Sequence, residues 1–321
     1  MYRFTPILKE RLWGGDRIAA YKGVQTGRPN IGESWEVSGL AGDVSVVASG
    51  PDAGRTLAEL IARDGERLLG RANYARCGTE FPLLVKFIDA RENLSIQVHP
   101  NDEVAHRHCQ QRGKTEMWYV IEAAEGARLY AGFRRATTPE EYAAHVAEKR
   151  ITDLLADHAV HAGDVFYLPA GCIHSIGAGL LLAEIQQTSD LTYRIYDFER
   201  RDASDRLREL HTELAQEAVD FAAAPGNRIR YARRENAETE LIASPCFTTS
   251  LLEATRPMTI DLAATDSFVV AICVGGSGTL DDGSGAPEPI RQGETVLVPA
   301  AAAALTIRPA GRMKLLTSRI G

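Results

Sequence analysis

"HAGDVFYLPAGCIHSI" (161–176) and "IRQGETVLVPAAAAALTI" (290–307) share one outline. In each, a Gly followed by an acid (Gly163-Asp164, Gly293-Glu294) opens an apolar strand that ends on Pro-Ala. The stretches before them also correspond: "MWYVIEAAEGARL" (117–129) echoes "FVVAICVGGSGTL" (268–280). An internal repeat built from short alternating strands and Gly-acid turns reads as two stacked barrels or jelly rolls, a bicupin. Counted from the shared Pro-Ala, His174 of the first copy falls opposite Ala304 of the second. The expectation is one barrel that keeps polar groups inside it and a second, filled with alanine at that place, that does not.

Working outward, strand-like runs dominate the chain. "DVSVVAS" (43–49), "PLLVKFIDA" (82–90), "LSIQVHP" (94–100), "EMWYVIEA" (116–123), "ARLYAGF" (127–133) and "LLLAEIQQTS" (180–189) each carry a β pattern between Gly, Pro and Asp. Helix is expected over 56–70, 137–157 and 202–223, the second opened by Thr-Thr-Pro-Glu-Glu. "APGNRIRY" (224–231) is the best linker, which divides the chain into a domain at 1–225 and a barrel at 226–321. The fold class is therefore mainly β: two cupin-type jelly-roll barrels with a few added helices.

Composition removes several functions. The 321 residues are 45% hydrophobic with a net charge of -7, so a nucleic-acid partner, which needs a surplus of Lys and Arg on one face, is not expected. Five scattered cysteines form no C-x-x-C pair and suggest neither a disulfide framework nor a thiolate zinc site. "MYRFTPILKERLWGG" has no apolar h-region, and no apolar run is long enough to span a membrane. A cytoplasmic setting is the default. The Gly-rich "CVGGSGTLDDGSG" (273–285) has no helix pattern after it and reads as a hairpin turn rather than a phosphate loop.

The polar residues that interrupt the strands carry the chemistry. In "LSIQVHP", Ser95, Gln97 and His99 share one face of the strand. Glu116 opens another strand, and His174 follows the "LPAGC" turn. Two imidazoles and a carboxylate from separate strands of one barrel suit Zn²⁺, Mn²⁺ or Fe²⁺, with Gln97 able to add a neutral oxygen. His106 and His108 sit in a polar helix or loop, and His145, His158, His161 and His211 in exposed-looking contexts, so none receives a role. Lys86 interrupts an apolar strand and faces either a partner, a cavity or, on an edge strand, water. Lys114 reads on its own as a solvated turn lysine. Arg194, with Asp190 four residues earlier and Glu184 on the preceding strand, is either half of a structural ion pair or a functional cation.

The motifs "PLLVKFIDARENLSIQVHPND", "GKTEMWYVI", "LPAGCIHSI" and "AEIQQTSDLTYRIYDF", with "LWGG" and "GESWEVSG", resemble type I phosphomannose isomerases of the short bacterial form over most of residues 1–205. The resemblance implies one Zn²⁺ per chain on Gln97, His99, Glu116 and His174, and interconversion of mannose 6-phosphate and fructose 6-phosphate. It implies Arg194 as the active-site arginine and puts Asp190, Glu184, Lys114, Lys86 and Ser95 on pocket-lining positions. Of these, Lys86 and Ser95 are the expected substrate-phosphate ligands, and Asp190, Lys114 and Glu184 join Arg194 as the expected catalytic set. The large helical insertion of longer members is missing. The expected partner is a phosphorylated hexose, with the protein a monomer or homodimer and no nucleic acid or membrane engaged. Two other classes compete: a sugar-phosphate-binding cupin without catalysis, and an Fe²⁺ cupin oxygenase. Retention of Arg194, Asp190 and both lysines favours the isomerase.

Overall fold

Alternating side chains need two faces to bury, and the chain supplies them as two antiparallel sandwiches. The computed structural model describes residues 1–202, 204–222 and 226–320. In the first sandwich a seven-stranded sheet runs in the spatial order Arg228–Ile229, Val165–Leu168, Glu116–Ala123, Leu180–Gln187, Leu83–Ala90, Ile7–Gly15, Ile31–Val37, with Leu83–Ala90 also pairing Ile31–Val37. Opposite it lies a five-stranded sheet, ordered Tyr193–Tyr196, Ile96–Val98, His174–Ile176, Arg128–Phe133, Leu155–Ala159. Trp118, Val120, Phe166, Ile88, Leu182, Leu129 and Ile176 fill the space between them at one end. Each such side chain contributes about 1.5–3 kcal/mol by leaving water. The other end is polar.

The second sandwich has a six-stranded sheet (Tyr2–Arg3, Thr295–Val298, Val269–Gly275, Met313–Arg319, Thr248–Ala254, Glu238–Ala243) and a four-stranded one (Met258–Asp261, Ala304–Pro309, Ser277–Asp281, Glu288–Arg291). Its interior is mainly apolar, from Leu252 and Val296 to Leu305 and Ile307, with Ser250 and Thr317 buried on the same strand faces. The polar-to-apolar difference between the copies is there, but alanines do not fill the place: Ala304 is half-buried and Leu305 points inward. Between the sandwiches, Val85, Phe87, Met117, Ala183 and Ile185 of the first pack with Val270, Ile272, Leu297 and Leu316 of the second in one cluster. The second barrel thus covers apolar surface of the first.

The strands do not divide cleanly at residue 225. Tyr2–Arg3 pairs with Thr295–Val298 in the second barrel, and Arg228–Ile229 pairs with Val165–Leu168 in the first. The boundary itself, with Ala223, Ala224 and Pro225, lies outside the described residues. The Gly-rich stretch forms a bend at Gly276 and a hairpin between Ser277–Asp281 and Glu288–Arg291, as read from its sequence.

The expected helices form, but shorter. The first starts at Thr56, which makes a capping box with Glu59, and breaks at Gly65 (φ +40°) into Leu57–Asp64 and Glu66–Leu69. The second spans Pro139–Ala147, followed by a 3₁₀ turn at Ile151–Leu154 and a strand at Leu155–Ala159. In the third, only Thr212–Ala218 is helical, because the preceding residues bond to a strand edge instead (below).

Candidate metal centre

Strand pairing brings the polar residues together. His174 sits directly across from Gln97, and Gln97 directly across from Arg194. On the facing sheet, Lys86 lies across from Glu184 and Glu184 across from Trp118. Direct antiparallel partners present their side chains on the same face. Glu116 is two residues before Trp118 and so shares that face, the barrel interior.

His99, Glu116 and His174 offer ligand atoms that all lie within 4.8 Å of one another. Among the described residues it is the one such cluster. His99 Nε2 is 3.4 Å from Glu116 Oε2, His174 Nε2 is 3.4 Å from Glu116 Oε1, and Gln97 Nε2 is 3.3 Å from His174 Nε2. The two His–Glu distances, which run to different oxygens of Glu116, and the 4.8 Å span of the set leave the three side chains close enough to share one ion. The tautomers fit as well. His99 Nδ1 donates to Leu191 O (2.9 Å) and His174 Nδ1 to Cys172 O (2.9 Å), which leaves both Nε2 lone pairs facing inward. The amide of Gln97, turned over, would aim Oε1 at the same point and pair its Nε2 with Ser95, whose Oγ is 3.1 Å away.

His99, Glu116 and His174 are each 1% exposed. Burial, then the Lys114 ammonium, pushes His99 down to about 3, and burial lowers His174 too, so both rings stay neutral. For Glu116 burial acts upward, but Lys114 and the two imidazoles outweigh it and hold the carboxyl well below its ordinary range. Neither Glu116 oxygen accepts a well-directed hydrogen bond, although Lys114 Nζ is 2.9 Å from Oε2. A buried, ionised carboxylate beside two inward-facing imidazole nitrogens, their other neighbours being Lys114 (3.1 Å) and the Gln97 amide (3.3 Å), is chemistry that suits a cation site. The "LPAGC" turn is held against it by Gly171, whose N–H donates to His99 O (2.8 Å) at φ +89°, a conformation suited to glycine.

A chain of alternating charge leads away from this centre. Lys114 lies 3.1 Å from His99 Nε2 and 4.0 Å from Glu184. Glu184 Oε1 is 3.1 Å from Lys86, and its Oε2 accepts from Trp118 Nε1 (2.9 Å). Lys86 lies over the Trp35 ring, and Trp35 Nε1 donates to Glu33 (2.8 Å), which also accepts from Arg11 (2.8 Å). Burial acts to raise the Glu33 carboxyl, but Lys86 and Arg11 outweigh it and hold it low. Of the alternatives open for Lys86 the structure shows the buried partner, whereas Lys114 departs from its local reading as a solvated turn lysine. Lys86 is on a central strand and Lys114 is 4% exposed, so neither an edge guard nor a solvated turn describes them.

Arg194 pairs with neither Glu184 nor Asp190: Glu184 is taken by Lys86, and Asp190 is exposed. Arg194 Nη1 donates to Glu209 O (2.8 Å), and its Nε is buried without a partner. Asp190 acts electrostatically on both Lys114 and Arg11 from the rim. His106 and His108 lie on the exposed helix Asp102–Cys109, with His108 2.8 Å from Glu217, away from the centre. Glu33, Trp35 and Arg11 escape a reading of single strands. The signal is a carboxylate and a tryptophan at i and i+2 in "GESWEVSG", which one strand must turn to one side.

An antiparallel double barrel of cupin type with, among the described residues, a His–Glu–His cluster in one barrel only defines the class: a cupin-type protein with one internal candidate metal site. The family model for the phosphomannose isomerase type I catalytic domain matches residues 1–153. Mannose-6-phosphate isomerase ManA of Bacillus subtilis is 41% identical over 223 residues, 69% of each chain, and a mannose-6-phosphate isomerase of Streptococcus mutans is 34% identical over 91% of this chain and 90% of its own. The crystal structure of the Bacillus subtilis mannose 6-phosphate isomerase superimposes with a TM-score of 0.88 at 29% identity, covering 99% of this chain and 98% of that one. The chain belongs to the type I phosphomannose isomerase family.

Proposed function

We propose that the first barrel interconverts mannose 6-phosphate and fructose 6-phosphate through an enediol, with one Zn²⁺ held by His99, Glu116 and His174 and assisted by Gln97. The observation that carries this is the trio of possible ligand atoms within 4.8 Å, with each imidazole Nδ1 tied to a backbone carbonyl and its Nε2 turned inward. A divalent ion bound there supplies a Lewis acid for the sugar oxygens.

The reaction moves a proton between C1 and C2, and negative charge grows on their oxygens as it leaves carbon. Lys114 is the ammonium nearest the ligands; the adjacent Glu116 and Glu184 hold it protonated against the effect of burial. It therefore stabilises the oxyanion and exchanges a proton with it. Glu184 fixes both lysines by accepting Lys86 on one oxygen and facing Lys114 at 4.0 Å. Arg194, on the face that carries Gln97 and His174, adds a charge that never titrates and so cannot be the base. Lys86 and Ser95 take the phosphate and hydroxyl oxygens of the substrate, and Asp190 stands at the rim where it enters. The five free cysteines suit a reducing compartment, and the proposed setting is the cytoplasm, as a monomer or homodimer.

A coupled assay for fructose 6-phosphate formed from mannose 6-phosphate, with and without chelator, tests the proposal. Turnover that chelator abolishes and Zn²⁺ restores is expected. Binding of the sugar phosphate with no turnover in either condition would instead establish a binding protein.

A further inference from the structure

We infer that the ion pair between Asp197 and Arg208 is a positioning element for Arg194, acting through the strap of chain at residues 207–211. The inference rests on the proposed role of Arg194 as a charge-stabilising group.

Arg194 lies on Tyr193–Tyr196, the edge strand of its sheet. One side of that strand pairs with Ile96–Val98, and the strap covers the other. His211 N–H donates to Arg194 O (2.7 Å), Arg194 N–H donates to His211 Nδ1 (3.2 Å), and Arg194 Nη1 donates to Glu209 O (2.8 Å). The strap therefore holds both the backbone and the guanidinium of this residue. Among the described residues no carboxylate lies within ion-pair distance of Arg194, so the Glu209 carbonyl is what aims its side chain.

The strap has no helix or ladder of its own. Leu207 makes a single bridge to Arg201, and regular structure resumes only at Thr212. What pins it is Arg208, whose Nε and Nη2 reach the two oxygens of Asp197 at 2.6 and 2.5 Å. A bidentate guanidinium–carboxylate pair fixes direction as well as distance. Asp197 is 4% exposed, and it also accepts from Arg200 at 3.3 Å. It directly precedes Phe198 and Glu199, both in the left-handed region (φ +54° and +55°), a turn that the surroundings must hold in place. Two guanidinium groups, Arg208 and Arg200, share this one carboxylate; burial and the neighbouring Arg208 make protonation of Arg194 harder, as crowded cations do. Asp197 is the counter-charge that lets the strap close over Arg194.

The test is steady-state kinetics on the full chain with bound metal measured alongside. Arg208→Ala is expected to lower kcat about 10- to 100-fold, the scale of a displacement near 1 Å at a reacting group, with KM within about twofold. Metal content stays at the wild-type level, and Arg208→Lys, which keeps charge but not the fork, falls between the two. In an Arg194→Ala background, Arg208→Ala adds no further loss, because its effect runs through Arg194. If Arg208→Ala does not fold, Asp197→Asn, which keeps the shape, replaces it under the same criteria. Losses that multiply in the double variant, a change confined to KM, or unchanged kcat would each overturn the inference. Unchanged kcat in Arg194→Ala alone would overturn the role of Arg194 itself, a separate result.

Discussion

Lys86→Met removes the cation at the middle of the charge chain while keeping a side chain of similar reach. Lys86 and Glu184 are 3 and 4% exposed, and taking one partner from a buried pair costs about 3–5 kcal/mol because the other charge stays buried. Here the stranded groups keep some support. Glu184 retains the Trp118 N–H at 2.9 Å and Lys114 at 4.0 Å, and Glu33 retains Arg11 and Trp35 at 2.8 Å. The cost therefore falls at the lower end, about 3 kcal/mol. For a unit of this size 1 kcal/mol moves Tm by roughly 2–4 °C, so thermal unfolding should come about 6–12 °C earlier. Differential scanning calorimetry measures the shift, and the coupled assay should show a higher KM for the sugar phosphate. A Tm within about 2 °C of wild type together with an unchanged KM would refute both the ion pair as drawn and the substrate contact.

Arg194→Ala should lower kcat about 10²–10³-fold with metal content and Tm unchanged; lost stability with wild-type turnover per folded molecule would make the arginine structural. His174→Ala should purify without stoichiometric metal, which elemental analysis checks, and dialysis against chelator should remove both metal and activity from the wild-type chain. Glu33 predicts an acid limb. Its carboxyl is held below its ordinary 4.5 in the folded chain, so its contribution is fully present above that value and is lost as pH falls through the lower folded one. The Tm gap between wild type and Glu33→Gln should accordingly be flat near neutral pH and close below about pH 4.5, as melting curves across pH would show.

The cluster of Gln97, His99, Glu116 and His174 was legible because strand alternation is a local property. Gln97 and His99 two apart, and Glu116 at the head of a strand, are read from neighbouring residues, and the repeat set His174 against a copy without it. Lys86 and Lys114 were half legible. Sequence marks Lys86 as a charge in an apolar strand, but its partner depends on Leu83–Ala90 lying beside Leu180–Gln187, nearly a hundred residues on, and no local period encodes which strands become neighbours. The same holds for Glu33 and Arg11. The helix expected at 202–223 shows tertiary override: 207–211 has helix-forming residues, yet Arg208 and the 209–211 backbone bond to Asp197 and Arg194 instead. Gly65 ends a helix whose apolar spacing continues past it, as a positive φ requires.

The pairing of Tyr2–Arg3 with Thr295–Val298 also sets a clock on synthesis. Tyr2 and Arg3 belong to a sheet whose matching strand comes nearly 300 residues later in the chain. At about 5–20 residues per second the wait is roughly 15–60 s, far longer than a hairpin needs to form. Over that interval the first barrel can assemble, while the face made by Phe87, Met117 and Ile185 stays without its cover. An apolar sheet face left open for tens of seconds is exposed to aggregation and to chaperones, and it closes only when the strands of the second barrel arrive to cover it.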